Sequence, residues 1–184
     1  MKFNILTIST FILWSCSNTK TNTDVPTENR LIDSVSIGDI RLRKKIDTYK
    51  GLHCTFEEWP KSSLEDNQTP ILLVDHNGDS LYVGTDFEKV IQKIVCIDSD
   101  FKTAKGLGVG TSTQEIKRLF QNVTVYSDLD HSEYIVLNGI TFHFTTTDTK
   151  RIGIYSDEDP EYGSSEISDG FIADAIIIDT KPSH

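Results

Sequence analysis

Lys105 to Phe120, KGLGVGTSTQEIKRLF, sets three glycines ahead of a run rich in hydroxyls and charge. That composition could cradle a phosphate or simply lead into a helix, and the spacing decides between them. Gly106, Gly108 and Gly110 read G-x-G-x-G, which is not the dinucleotide fingerprint. No Gly-Lys-Ser/Thr closes the run, as a nucleotide-gripping loop requires. Ser112 and Glu115 instead have the spacing of a capping box. Ile116, Leu119 and Phe120 then share one helical face, and Lys117 and Arg118 complement the negative helix end. The stretch predicts a turn into a short amphipathic helix, and no nucleotide.

The other chemistry-bearing residues are no more convergent. Asp75-x-Asn77-x-Asp79 has the first ligand positions of a calcium loop, but Ser80 stands where the bend needs glycine and Asp86 replaces the bidentate Glu. A hairpin turn explains that run better. His53, His76, His131, His143 and His184 show no zinc-ligand spacing. His53 and Cys54 are neighbours, and neighbours in a strand point to opposite faces, so they cannot form a nucleophile–base pair. Glu57 and Glu58 beside Trp59 are likewise adjacent and do not oppose each other across a glycosidic bond. The expectation is therefore no catalytic residue, no metal and no cofactor.

The chain carries a formal charge of −10. A field of that sign repels nucleic acid, and the basic clusters are short. The densest acidic run holds Asp157, Glu158, Asp159 and Glu161, framed by Tyr155 and Tyr162. It reads as a solvated loop, or as a recognition loop for a basic partner.

Residues 1–15 combine Lys2 with an apolar stretch from Ile5 to Trp14 that has signal-peptide length. Leu13-Trp14-Ser15-Cys16 resembles a bacterial lipobox. The resemblance implies cleavage before Cys16 and lipidation of its sulfur, with palmitate among the acyl groups expected. Trp14 departs from the pattern, which has a small residue there. Residues 16–33 are polar and predict a flexible tether. No Asp follows Cys16 and no acidic run comes directly after it, which makes the periplasmic side of the outer membrane the default location. Two further cysteines remain, Cys54 and Cys96. They could close a disulfide in an oxidising envelope or stay as two buried thiols.

The elements that must position these residues are mainly strands. Apolar runs flank Asn77-Gly78 and again Asn138-Gly139, the strongest short hairpin signal. Ile140, Phe142 and Phe144 alternate with Thr141 and His143, which marks a strand buried on one face. VIQKIVCIDS at 90–99 and FIADAIIIDT at 171–180 match when Ile91 is set on Ile172 and Ile97 on Ile178. IGDIRLRKKIDTYKG at 37–51 corresponds in turn to LGVGTSTQEIKRLFQ at 107–121. The expected fold is α+β, mainly antiparallel, with short helices on one face. Residues 34–184 form the folded domain, with helix-plus-hairpin repeats at 34–100 and 101–184 and an insert at about 146–168.

The run SDFKTAKGLGVGTSTQEIK resembles a stretch of small uncharacterised lipoproteins of Bacteroidota. The tandem of short helices and hairpins is loosely similar to the β-lactamase-inhibitor-protein-like fold. Those relatives imply binding to another protein and no catalysis. The expected function is a membrane-anchored envelope lipoprotein that binds or scaffolds an envelope protein. The alternatives are an immunity or inhibitor protein neutralising a cationic toxin or enzyme, and an envelope hydrolase.

Overall fold

A computed structural model describes residues 30–49, 53–55, 69–74, 80–127, 132–147, 149–155 and 163–181. Twelve strands and one α-helix occur among them. A small sheet combines β1 (Leu31–Ile32), β2 (Ser36–Ile37), β3 (Ile40–Arg41) and β8 (Lys102–Thr103), in the order β3-β2-β1-β8. The large sheet combines β4 (His53–Thr55), β5 (Thr69–Val74), β6 (Ser80–Thr85) and β7 (Ile91–Cys96) with β9 (Val125–Ser127), β10 (Ser132–Leu137), β11 (Ile140–Thr145) and β12 (Ala175–Asp179). Its order is β4-β5-β6-β7-β12-β11-β10-β9, antiparallel throughout. Two four-stranded meanders thus meet through their last strands. The strand alternation works as the residue pattern expects: Ile135, Leu137, Ile140, Phe142 and Phe144 are buried, with Ile176 and Ile178 beside them. Ile32, Ile37 and Ile40 of the small sheet join the same core.

The entries to the two halves are bonded to the strands alike. Arg43 N–H donates to the Ile91 carbonyl (2.8 Å) and Ile91 N–H to that of Lys44 (2.9 Å). In the second half Gly110 N–H donates to Ala173 and Ala173 N–H to Thr111, both at 2.9 Å. Each entry turns through a positive φ, 62° at Arg43 and 88° at Gly110. Val83 pairs with Ile94 as Phe142 pairs with Ile176. This register corrects the sequence match by one residue. Ile91 is fully buried whereas Ile172 is 60% exposed, and Ile97 is 43% exposed whereas Ile178 is buried. The period of a strand is two, so a slip of one puts every side chain on the wrong face. Setting Ile91 on Ala173 and Ile94 on Ile176 restores the faces.

The helix α1 spans Thr113–Leu119. The capping box is formed: Glu115 N–H donates to Ser112 Oγ (3.2 Å), and Ser112 N–H donates to the Glu115 carboxylate (3.0 Å). The backbone hydrogen bond from Ser112 is the main reason the Glu115 carboxyl stays below its usual range. Gly108 precedes it because a Cβ there would meet the Phe101 carbonyl oxygen at 2.2 Å. Ser112→Ala is expected to lower stability by about 1 kcal/mol, read as a shift of the urea midpoint. Lys117 reaches outward from the helix to Asp169 (2.7 Å) and the Ile167 carbonyl (3.0 Å), so the long β11–β12 connection is tied to α1.

Among the described residues of 37–51, which end at Tyr49, the expected α-helix is absent. Those residues form the β2–β3 hairpin and a 3-10 turn at Ile46–Thr48. Gly38 and Arg43, at φ 57° and 62°, leave the right-handed helical path and divide the segment. A disulfide between Cys54 and Cys96 is also ruled out. Cys54 pairs with Leu73, Leu73 with Leu81, and Leu81 with Cys96, so two strands stand between the cysteines. Three strand spacings are roughly 14 Å, about twice the Cα reach of a disulfide. Cys96 is a buried thiol whose Sγ lies 3.5 Å from the Asp98 carbonyl oxygen.

Candidate functional site

The strand and turn pattern opens a cleft, of about 290 Å³, between the small sheet and the tip of the β10–β11 hairpin. Its floor is the core itself. Leu137, Ile140 and Phe142 face it from the hairpin, Ile32 from β1, and Leu107 from the turn after β8. Its rim is formed by Asp33, Ser34, Ala104, Lys105, Phe120 and Asn138. The hairpin tip is a two-residue turn with φ 53° at Asn138 and 79° at Gly139, the left-handed pair that matches strand twist. A Cβ on Gly139 would stand 3.1 Å from that of Ser34, so the tip closes against the β1–β2 turn.

The charges at the rim differ in how they are engaged. Asp33 accepts from Val35 N–H (2.7 Å), Ser36 N–H (2.6 Å) and the Ser36 hydroxyl (3.0 Å), so its carboxylate shapes the β1–β2 turn. Lys105 lies over the Phe120 ring, with Nζ 4.2 Å from the centroid. A cation in that position gains from the ring quadrupole and keeps its donors for a ligand. The arrangement can receive an apolar body and hold a negative end.

A second constellation surrounds Glu133, which is fully buried. Its carboxylate accepts from Ile152 N–H (2.6 Å), Gly153 N–H (3.0 Å) and the Tyr155 hydroxyl (2.8 Å). Arg151 sits over the Tyr155 ring at 5.4 Å. Burial and the Glu133 carboxylate raise the Tyr155 hydroxyl above its usual range, so it remains a donor. Tyr155, the one residue of the expected partner-binding loop among the described residues, serves as a clasp of the β11–β12 connection. Asp157, Glu158, Asp159, Glu161 and Tyr162 lie outside the described residues, as do Cys16 and the Asp75–Asp79 turn.

His143 Nδ1 lies 2.7 Å from Asp174, whose second oxygen accepts Thr145 N–H at 2.6 Å. This His–carboxylate pair is not part of the cleft. Phe142 lines the cleft, and its neighbour His143 projects from the opposite sheet face. The pair staples β11 to the segment entering β12. Burial pushes the Asp174 carboxyl up, but hydrogen bonds from His143 and Thr145, with the attraction of His143, outweigh it and hold it below its usual value. The staple thus stabilises the fold above the unfolded carboxyl pKa of about 3.9 and is lost as pH falls through the lower folded value. Asp174→Asn is expected to flatten the acid-side loss of stability below about pH 4, measured by urea titration across pH. Among the described residues no group of three or more His, Cys, Asp or Glu could hold a metal ion.

No family model matches the chain, and no curated protein does. Among solved structures the chain is similar to the uncharacterized protein yfeY from Escherichia coli, with 14% sequence identity and a TM-score of 0.50. The likeness covers 81% of this chain and 99% of that one. At that identity it concerns the fold alone: an α+β arrangement of mainly antiparallel sheet with a short helix.

Proposed function

We propose that this chain is a lipid-anchored, non-catalytic binding module of a bacterial envelope, tethered through Cys16 and facing the periplasm from the outer membrane. Its cleft receives an apolar group of another envelope component. The observation that carries the reading is the cleft: an apolar floor continuous with the core, and one cation at the rim. Its wall at Ile32 and Asp33 is the end of the 16–33 stretch that the sequence reads as a tether, whose residues Leu31–Ile32 the fold instead takes in as β1. The His143–Asp174 pair, the nearest thing to hydrolase machinery among the described residues, is used as a staple on the other sheet face.

An immunity or inhibitor role would place the contact on the acidic 157–161 run and call for a cationic partner. Lys105 at the cleft disfavours such a partner there. Two measurements separate the readings. Palmitate labelling and fractionation should find the wild type lipidated in the membrane and Cys16→Ala released. Affinity capture from solubilised envelope should retain a partner on the wild type and on a variant with Asp157, Glu158, Asp159 and Glu161 neutralised, and lose it on Ala104→Trp, which fills the cleft mouth. Loss with the neutralised run and retention on Ala104→Trp would establish the inhibitor reading instead. Release of the wild type without label would reject the anchor.

A further inference from the structure

We propose that the apolar group the cleft receives is a single-chain amphipathic anion, a medium-chain carboxylate, whose tail lies on Leu137, Ile140 and Phe142 and whose head pairs with Lys105. This rests on reading the cleft as the binding site and goes further by naming the ligand class. Size comes first. A volume of about 290 Å³ is at the lower end for small-molecule pockets. At about 30 Å³ per water-sized group it holds about ten non-hydrogen atoms, the size of octanoate. That space is too small for a folded two-chain lipid, and one slim chain fills it.

Charge comes second. The chain as a whole carries −10, so an anion is repelled almost everywhere on it. Lys105 is the local exception. Among the described residues no carboxylate stands in ion-pair contact with it, whereas Lys89, Lys93 and Lys117 each meet an aspartate. Its position over Phe120 places the ammonium at the mouth. Asp33, the carboxylate of the rim, accepts three hydrogen bonds from donors of its own turn. The walls therefore provide dry contact for a hydrocarbon tail, and the mouth provides one unmatched positive charge.

The test is isothermal titration of the Cys16→Ala chain, with no detergent, using octanoate, octanol and octylamine. Octanoate is expected to bind one to one, octanol about fivefold more weakly, and octylamine more weakly still, since one exposed charge contact contributes about that factor. Lys105→Gln should leave octanol unchanged and bring octanoate down to it. Ala104→Trp, at an exposed position of the mouth, should abolish both. Absence of octanoate binding at millimolar concentration would overturn the proposal, as would equal binding of the three probes or unchanged binding to Ala104→Trp. A short apolar peptide displacing octanoate with higher affinity would overturn the ligand class and assign the cleft to a protein chain. Membrane labelling of Cys16 is independent of all these results, so failure of the ligand class and failure of the anchored-module reading are told apart.

Discussion

Replacing Glu133 by Ala is expected to cost about 3–5 kcal/mol of stability, the largest single loss at any polar residue described here. The reason is the number of donors left behind. Glu133 is fully buried and receives two backbone N–H groups and one phenol. Truncation strands all three away from water, at roughly 1–3 kcal/mol for each buried group left unpaired. Glu133→Gln keeps one acceptor oxygen and turns an NH₂ toward a donor, so its loss is intermediate. Tyr155→Phe removes one partner only and should cost about 1 kcal/mol. Urea unfolding of the three variants should rank them in that order. An Ala variant within 1 kcal/mol of wild type would mean that the β11–β12 connection is not held by this clasp.

Asp179→Ala is expected to cost about 3 kcal/mol. Lys93 and Asp179 oppose each other across the two strands that join the halves of the sheet, with Nζ and carboxylate 3.2 Å apart and each side chain 10% exposed. Removing the acid leaves an ammonium in a place with little water, and that desolvation is the main cost. Replacing both residues, as Lys93→Met with Asp179→Leu, should recover part of that loss, because the ammonium is then removed together with its counter-charge. Thermal unfolding of the single and double variants measures the contrast. A double variant as damaged as Asp179→Ala would show that the loss lies in packing and not in charge.

Much of the fold could be read from local patterns. The Asn138-Gly139 turn, the alternation through Ile140–Thr145 and the capping box at Ser112 each depend on residues a few positions apart, and each is present. The likeness of 90–99 to 171–180 was legible too, but its register was not. Ile172 and Ile178 look equivalent to Ile91 and Ile97 by residue type, and only strand pairing shows that a slip of one turns them over. The helix expected at 37–51 failed because Arg43 adopts a left-handed φ that a sequence does not announce at an arginine. Cys54 and Cys96 were compatible with a bond until the strand order put two strands between them.

The candidate site was less legible, because its parts come from distant segments. Ile32, Lys105, Phe120 and Leu137 have no shared motif and meet only through the crossing of the two sheets. Glu133 did leave a signal: it occupies the same strand phase as Ile135 and Leu137, and an acid on an apolar phase marks a buried, bonded carboxylate. Lys93 leaves a similar one, a charge inside an apolar strand run, and Asp179 closes such a run.

The most direct test of the cleft as the working site is an amide chemical-shift titration of the Cys16→Ala chain with octanoate. The account predicts saturable shifts grouped at Ile32, Lys105, Phe120 and Leu137, with the amides around Glu133 and His143 unmoved. Shifts grouped instead on the acidic 157–161 run, or spread without saturation, would contradict it.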